Sequence, residues 1–148
     1  MKIEEELKTS FRNEYHKAFV NLHYTNAQLH GKLADLVSEY DLTGTQFNAL
    51  RILRGQYPKA ICLRVLKERM IEKNSDVSRI VDRLYHKQLI DRTESAADRR
   101  HKDVKINQKG LDLLGQMDHC IEQLDLLLSN LDESEILQFN HLLNKIRE

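Results

Sequence analysis

Side chains suited to recognition chemistry concentrate between Ser75 and Gly110, where the chain reads SDVSRIVDRLYHKQLIDRTESAADRRHKDVKINQKG. Ser75, Asp76, Ser78 and Arg79 come first, then Asp82 and Arg83, then a charged run of Asp98, Arg99, Arg100, His101 and Lys102. A guanidinium is planar, permanently charged and carries a fixed fork of donors, so it suits phosphates and base edges that accept in pairs. Arg79 could bind a guanine edge in this way, and small hydroxyls such as Ser75 and Ser78 let a backbone approach bases closely. Asp76 could accept from cytosine or serve as a favourable charge in the first turn of a helix. An amphipathic helix with a small polar start, followed by a basic arm, is a shape that grips duplex DNA. The helix suits the major groove and the arm the minor groove.

Other reactive residues form no comparable set. His16, His23 and His30 recur every seven residues on one helix face. Seven residues rise roughly 10 Å, too far for neighbours on one helix to share an ion. They are read as polar residues bordering a buried stripe, and no metal site is assigned. Cys62 and Cys120 make no disulfide framework and are read as small core residues. There is no nucleotide-binding glycine loop and no acyl-transfer serine motif, so neither an enzyme nor a cofactor is expected.

The elements that would position the recognition residues follow from apolar spacing. Steps of three and four over residues 2–40 predict one long helix, with a break near Gly31 if anywhere. Leu42–Arg54 predicts a helix with Thr43 and Gln46 as a capping box and Phe47, Leu50 and Leu53 inward. Cys62–Met70 predicts a short helix with Leu63, Leu66 and Met70 inward. A turn follows, and then a helix capped by Ser75 that buries Val77, Ile80, Val81 and Leu84. Leu89–Thr93 and Val104–Ile106 predict strands around a charged loop. Lys109–Leu131 and Glu133–Ile146 predict amphipathic helices, the second capped by Asp132. Asp82 and Arg83 are expected mainly in ion pairs, with Arg83 a further candidate for phosphate.

Charge is partitioned along the chain. Its net formal charge is zero, but residues 61–109 hold 13 Lys/Arg against 8 Asp/Glu, a sum of +5, and residues 110–148 hold 2 against 8, a sum of −6. A basic segment on a neutral chain can bind phosphate locally. No apolar run approaches 18 residues, and MKIEEELKTS lacks the apolar core of a signal peptide, so no membrane partner and a cytoplasmic location are expected.

The pattern Asp98-x-Arg100-x-x-x-Val104, the preceding VSRIVDRL and the upstream LTGTQFNALRIL together resemble the MarR family of bacterial transcriptional regulators. The resemblance covers roughly residues 42–115 by motif. It implies a mainly α fold with a small β-hairpin wing: a winged helix-turn-helix with N- and C-terminal dimerisation helices. Residues 1–148 would form a single MarR-type domain, with 41–109 the DNA-binding part and 1–40 and 110–148 the helical dimerisation layer. The implied function is a homodimeric, sequence-specific repressor on a pseudo-palindromic operator, released by a small-molecule effector. The alternatives are a metal-sensing regulator using His and Cys, and a winged module that binds proteins instead of double-stranded DNA. Carried onto this chain, Arg100 is the minor-groove finger and Asp98 fixes its direction, with Arg99 and Lys102 beside them. The chain departs from the family at Gln88, where a glycine usually ends the recognition helix, so another residue must take the left-handed position or the helix must end differently.

Overall fold

The computed structural model describes all residues, Met1–Glu148. It comprises two compact units, Met1–Gly44 and Thr45–Glu148.

The first unit holds α1 (Ile3–Leu7) and α2 (Glu14–Ser38). The expected single helix is therefore interrupted, but at residues 8–13 and not at Gly31, which lies inside an unbroken α2. Lys8 turns into the left-handed region with φ 49°, which ends α1. Asn13 then starts α2, its side chain accepting the His16 amide at 2.8 Å. A short polar side chain here satisfies an amide that a new helix leaves without a partner. Leu7, Phe11 and Tyr15 keep helical spacing across the break, so periodicity alone does not show it.

The second unit begins in α3 (Gly44–Gln56), which buries Phe47, Leu50 and Leu53 as its spacing predicts. Ile61–Cys62 is a strand, β1, where the sequence suggested the start of a helix. α4 (Leu63–Arg69) follows with Leu66 buried, and Met70 is buried just beyond it. A turn leads to α5 (Val77–His86), which buries all four predicted residues: Val77, Ile80, Val81 and Leu84. Next come β2 (Ile90–Glu94) and β3 (Lys102–Ile106). The antiparallel sheet has the order β1-β3-β2, with Arg92 opposite Val104 and Ile61 on the other side of Val104. Val104 is thus a central strand residue and fully buried, as are Ile90 and Ile106 to within about one per cent.

Gln88 itself takes the left-handed position, at φ 61°. Its amide bonds to Tyr85 O at 2.9 Å, and the Leu89 amide bonds back to Leu84 O at 3.1 Å. These are the paired bonds of a Schellman closure, and the accompanying apolar pair, Leu84 and Leu89, is buried. The exposed carbonyl ends are held from outside the helix. Asn107 Nδ2 donates to Gln88 O at 2.8 Å, and Lys109 Nζ donates to Lys87 O at 3.1 Å.

Asn107 also caps α6 (Gln108–Asp125), which ends in a single 3-10 turn at Leu126–Leu128, short of the predicted Leu131. A β-carbon on Gly110 would collide with Leu89 O and lie 2.6 Å from Ile106 Cγ1, so only glycine lets α6 approach this closely. α7 (Glu133–Ile146) begins with the expected Asp132 cap, reciprocated by Glu135 Oε2 accepting the Asp132 amide at 2.9 Å.

Two substitutions should move stability in opposite directions. Gln88→Gly relieves a left-handed side-chain position and should stabilise the fold by about 0.5–1 kcal/mol. Gly110→Ala forces a β-carbon against backbone and should cost about 2–3 kcal/mol. Urea unfolding midpoints of the two variants against the parent check both signs.

Candidate nucleic-acid interface

α5 presents two exposed rows. On the first, Arg79 and Arg83 lie one turn apart, with Asp76 ahead of them. Both arginines are solvent-exposed. Neither guanidinium has a carboxylate partner, so Arg83 is not in the ion pair expected from sequence, and its donors are available. Asp76, not Ser75, caps the helix: its Oδ1 accepts the Arg79 amide at 3.1 Å. Its carboxylate is thereby engaged with backbone. Ser75 is turned the other way, donating its hydroxyl to Glu72 O at 2.7 Å. On the second row, Ser78 and Asp82 line a cleft of about 580 Å³ that also meets Arg92, Asp98, Arg100 and Lys102. The structure therefore divides the predicted residues between an open helix face and the side facing the wing.

The wing tip is a tight turn. The His101 amide donates to Asp98 O at 3.0 Å, which puts Arg99 and Arg100 at the two central positions. Both side chains project from the turn into solvent; that of Arg100 is 89% exposed. Asp98 sits beneath them, 35% exposed, and does two jobs. Its Oδ1 accepts the Arg100 amide at 3.0 Å, which closes the turn. Its two oxygens also accept Nε and Nη2 of Arg100 at 3.3 and 3.4 Å. The predicted pairing of Asp98 with Arg100 is thus present. His101 Nε2 lies 3.6 Å from the same carboxylate. The Arg100 amide, and then its guanidinium, hold the Asp98 carboxyl below its ordinary value. Lys102 begins β3, exposed, opposite Glu94.

Sequence reasoning missed Arg92. Its Nη1 donates to Asp82 Oδ1 at 2.6 Å, and its guanidinium carbon stands 3.9 Å from the centre of the Tyr85 ring. This gives Asp82 the ion pair expected of it, though no spacing rule names a partner ten residues away on a strand. Exposed ion pairs contribute about 0–1 kcal/mol and cation–π contacts about 0.5–1 kcal/mol, so the contact sets geometry more than stability.

Cys62 and Cys120 are half-buried, not core residues as expected. Cys120 Sγ lies 3.2 Å from His119 Nε2. No three His, Cys, Asp or Glu side chains converge as an ion would need. No helix is long and apolar enough to cross a membrane.

A helix-turn-helix joined to a three-stranded sheet whose hairpin ends in exposed arginines is a winged helix-turn-helix. Residues 42–102 match the model of the MarR family. The chain is 26% identical over 134 residues to the HTH-type transcriptional regulator MhqR of Bacillus subtilis (strain 168), covering 88% of this chain and 89% of that one. Its fold is similar to that of a cysteine-to-serine mutant of E. coli MarR in complex with operator DNA, with a TM-score of 0.80 and 25% identity over 93% of this chain and 99% of that one. The S. aureus MepR–DNA complex has the same fold, with a TM-score of 0.78 and 21% identity over 93% and 97%. In its winged helix-turn-helix segment and in its fold the chain is thus similar to the MarR family of transcriptional regulators.

The lowered Asp98 carboxyl has a testable pH consequence. Its contact with Arg100 should be complete above the ordinary value of 3.8 and be lost as pH falls through the lower folded value. Carboxyl-carbon NMR should show Asp98 titrating below 3.8 in the parent. In Arg100→Ala it should move only part of the way back, because the residue-100 amide remains.

Proposed function

We propose that this chain is a homodimeric, sequence-specific DNA-binding regulator on a pseudo-palindromic operator, most simply a repressor released by a small-molecule effector. The observation that carries the DNA-reading part is the wing tip. Arg100 is exposed, permanently charged and aimed by Asp98, and it stands on the same module as the open Arg79 and Arg83. A guanidinium presented in this way suits the strong negative potential of a narrow minor groove. Arg79 and Arg83, on the open face of α5 beside Asp76, would meet the major groove, with Ser75 and Ser78 small enough at the head of the helix to let its backbone come close. Asp76 would act there as the cap that fixes the first turn, while Arg99 and Lys102 would add phosphate contacts. Such a protein would work beside the chromosome, in the cytoplasm.

Exposed apolar side chains support the dimer. On α2, Tyr15, Phe19 and Leu22 are exposed, and on α7 so are Leu137, Leu142 and Ile146. No residue of α7 is buried. Amphipathic helices left this open are normally covered. Residues 1–40 and 110–148 would form that layer, with 41–109 as the reading part. Two copies would carry twice the +5 of the basic segment, or +10, to half-sites about one helical turn apart.

The test is selection of duplexes from a randomised library by the full chain, with sedimentation to fix its oligomeric state. Inverted repeats should be enriched, by a species of twice the chain mass. Arg100→Ala should weaken binding about tenfold or more and lower the salt slope by roughly one. Equal affinity for all sequences, unchanged by Arg100→Ala, would leave a winged module that does not read DNA.

A further inference from the structure

We propose that Arg92 is a positioning residue for DNA reading. It makes no contact with DNA itself. It ties the wing to α5 through Asp82 and Tyr85, so that the helix and the wing tip engage their grooves together. This inference rests on the DNA-reading function proposed above.

Three observations carry it. The first is where the charge of Arg92 goes. Arg79, Arg83, Arg99 and Arg100 all project into solvent, and only Arg100 has a carboxylate partner, within its own turn. Arg92 is the least exposed member of its ion pair, at 24% against 58% for Asp82. Its guanidinium is engaged by Asp82 at 2.6 Å and by the Tyr85 face at 3.9 Å, leaving little of it to meet a phosphate. The second is geometry. Asp82 and Tyr85 stand three residues apart on α5 and therefore share a face, where they grip the guanidinium from two directions. A planar cation can satisfy a carboxylate and stack on a ring at once; an ammonium cannot do so with the same geometry.

The third is position along the wing. Arg92 sits in the middle of β2, opposite Val104. Below it the sheet is anchored by buried Ile90 and Ile106. Above it run Thr93 and Glu94 and then the tip, where the cleft of about 580 Å³ separates wing from helix. Arg92 bridges that cleft at the last point before apolar packing gives out. Without it, the wing beyond Arg92 would pivot on the sheet and carry Arg100 out of register with Arg79 and Arg83.

The experiment uses a duplex enriched from the randomised library by the parent chain. The variants are Arg92→Ala, Asp82→Ala, the exchange Asp82→Arg with Arg92→Asp, and Arg100→Ala as reference. Affinity is measured against salt, and contacts are mapped by hydroxyl-radical protection along the minor groove and by guanine methylation in the major groove. Arg92→Ala should weaken binding about tenfold and thin the minor-groove protection while major-groove protection persists. Its salt slope should fall by at least the unit lost in Arg100→Ala, because the tip leaves its groove, and adding Arg100→Ala to Arg92→Ala should cost little further affinity, because Arg92 acts through the tip. The exchanged pair should recover minor-groove protection. If Arg100→Ala costs as much affinity in the Arg92→Ala background as it does in the parent, Arg92 contacts DNA independently and the proposal is overturned, as it is by unchanged affinity of Arg92→Ala. If Arg92→Ala fails to fold, the exchanged pair decides: recovered protection supports the tie, and absent protection overturns it. A parent chain that enriches no sequence removes the DNA-reading function and this inference with it, an outcome distinct from a parent that enriches a duplex which Arg92→Ala then binds unchanged.

Discussion

The winged module depends on one crowded junction, where α5 ends, the wing returns and α6 begins. Leu89 O accepts the Asn107 amide at 3.2 Å, and the same oxygen leaves no room for a β-carbon on Gly110. Asn107 meanwhile reaches across to Gln88 O and caps α6 by accepting the Gly110 amide at 3.0 Å. One asparagine therefore joins the end of the recognition helix to the start of the next. Because both strands of the wing leave from this point, its geometry sets the direction in which the hairpin extends. The left-handed Gln88 is tolerable here because the surrounding bonds fix it from several sides.

Much of this was legible in the sequence because it rests on local periodicity. Val77, Ile80, Val81 and Leu84 describe one face of a helix whatever surrounds them, and all four are buried. The Asp98–Arg100 pair spans two residues, so the turn that creates it is itself local. Features resting on contacts distant in sequence were not legible. β1 is two residues long, and only its pairing with Asp103 and Val104 makes it a strand. The cap of α5 fell on Asp76 instead of Ser75, a shift of one residue that periodicity does not resolve. The break after Leu7 depends on a left-handed lysine, a residue type with no special preference for that conformation. Arg92 could not be assigned a partner until the register of β2 brought it over Asp82 and Tyr85.

The acids in the basic segment make sense in the same terms. Residues 61–109 carry eight of them, and three sit at the proposed DNA-facing surface: Asp76, Asp82 and Asp98. Counted as charge, each lowers attraction to phosphate. Counted as geometry, each holds something specific: Asp76 the first turn of α5, Asp82 the guanidinium of Arg92, and Asp98 the turn and guanidinium of Arg100. A long flexible cation ordered only on meeting DNA would lose side-chain entropy at that moment. An arginine held by an aspartate in the free protein has already lost part of it. On the DNA-reading proposal, the modest +5 reflects a division of labour, in which Arg79, Arg83 and Arg99 would supply attraction while the carboxylates supply direction. Where affinity must discriminate between sequences, direction is worth more than added charge, because phosphate attraction is the same everywhere along the duplex.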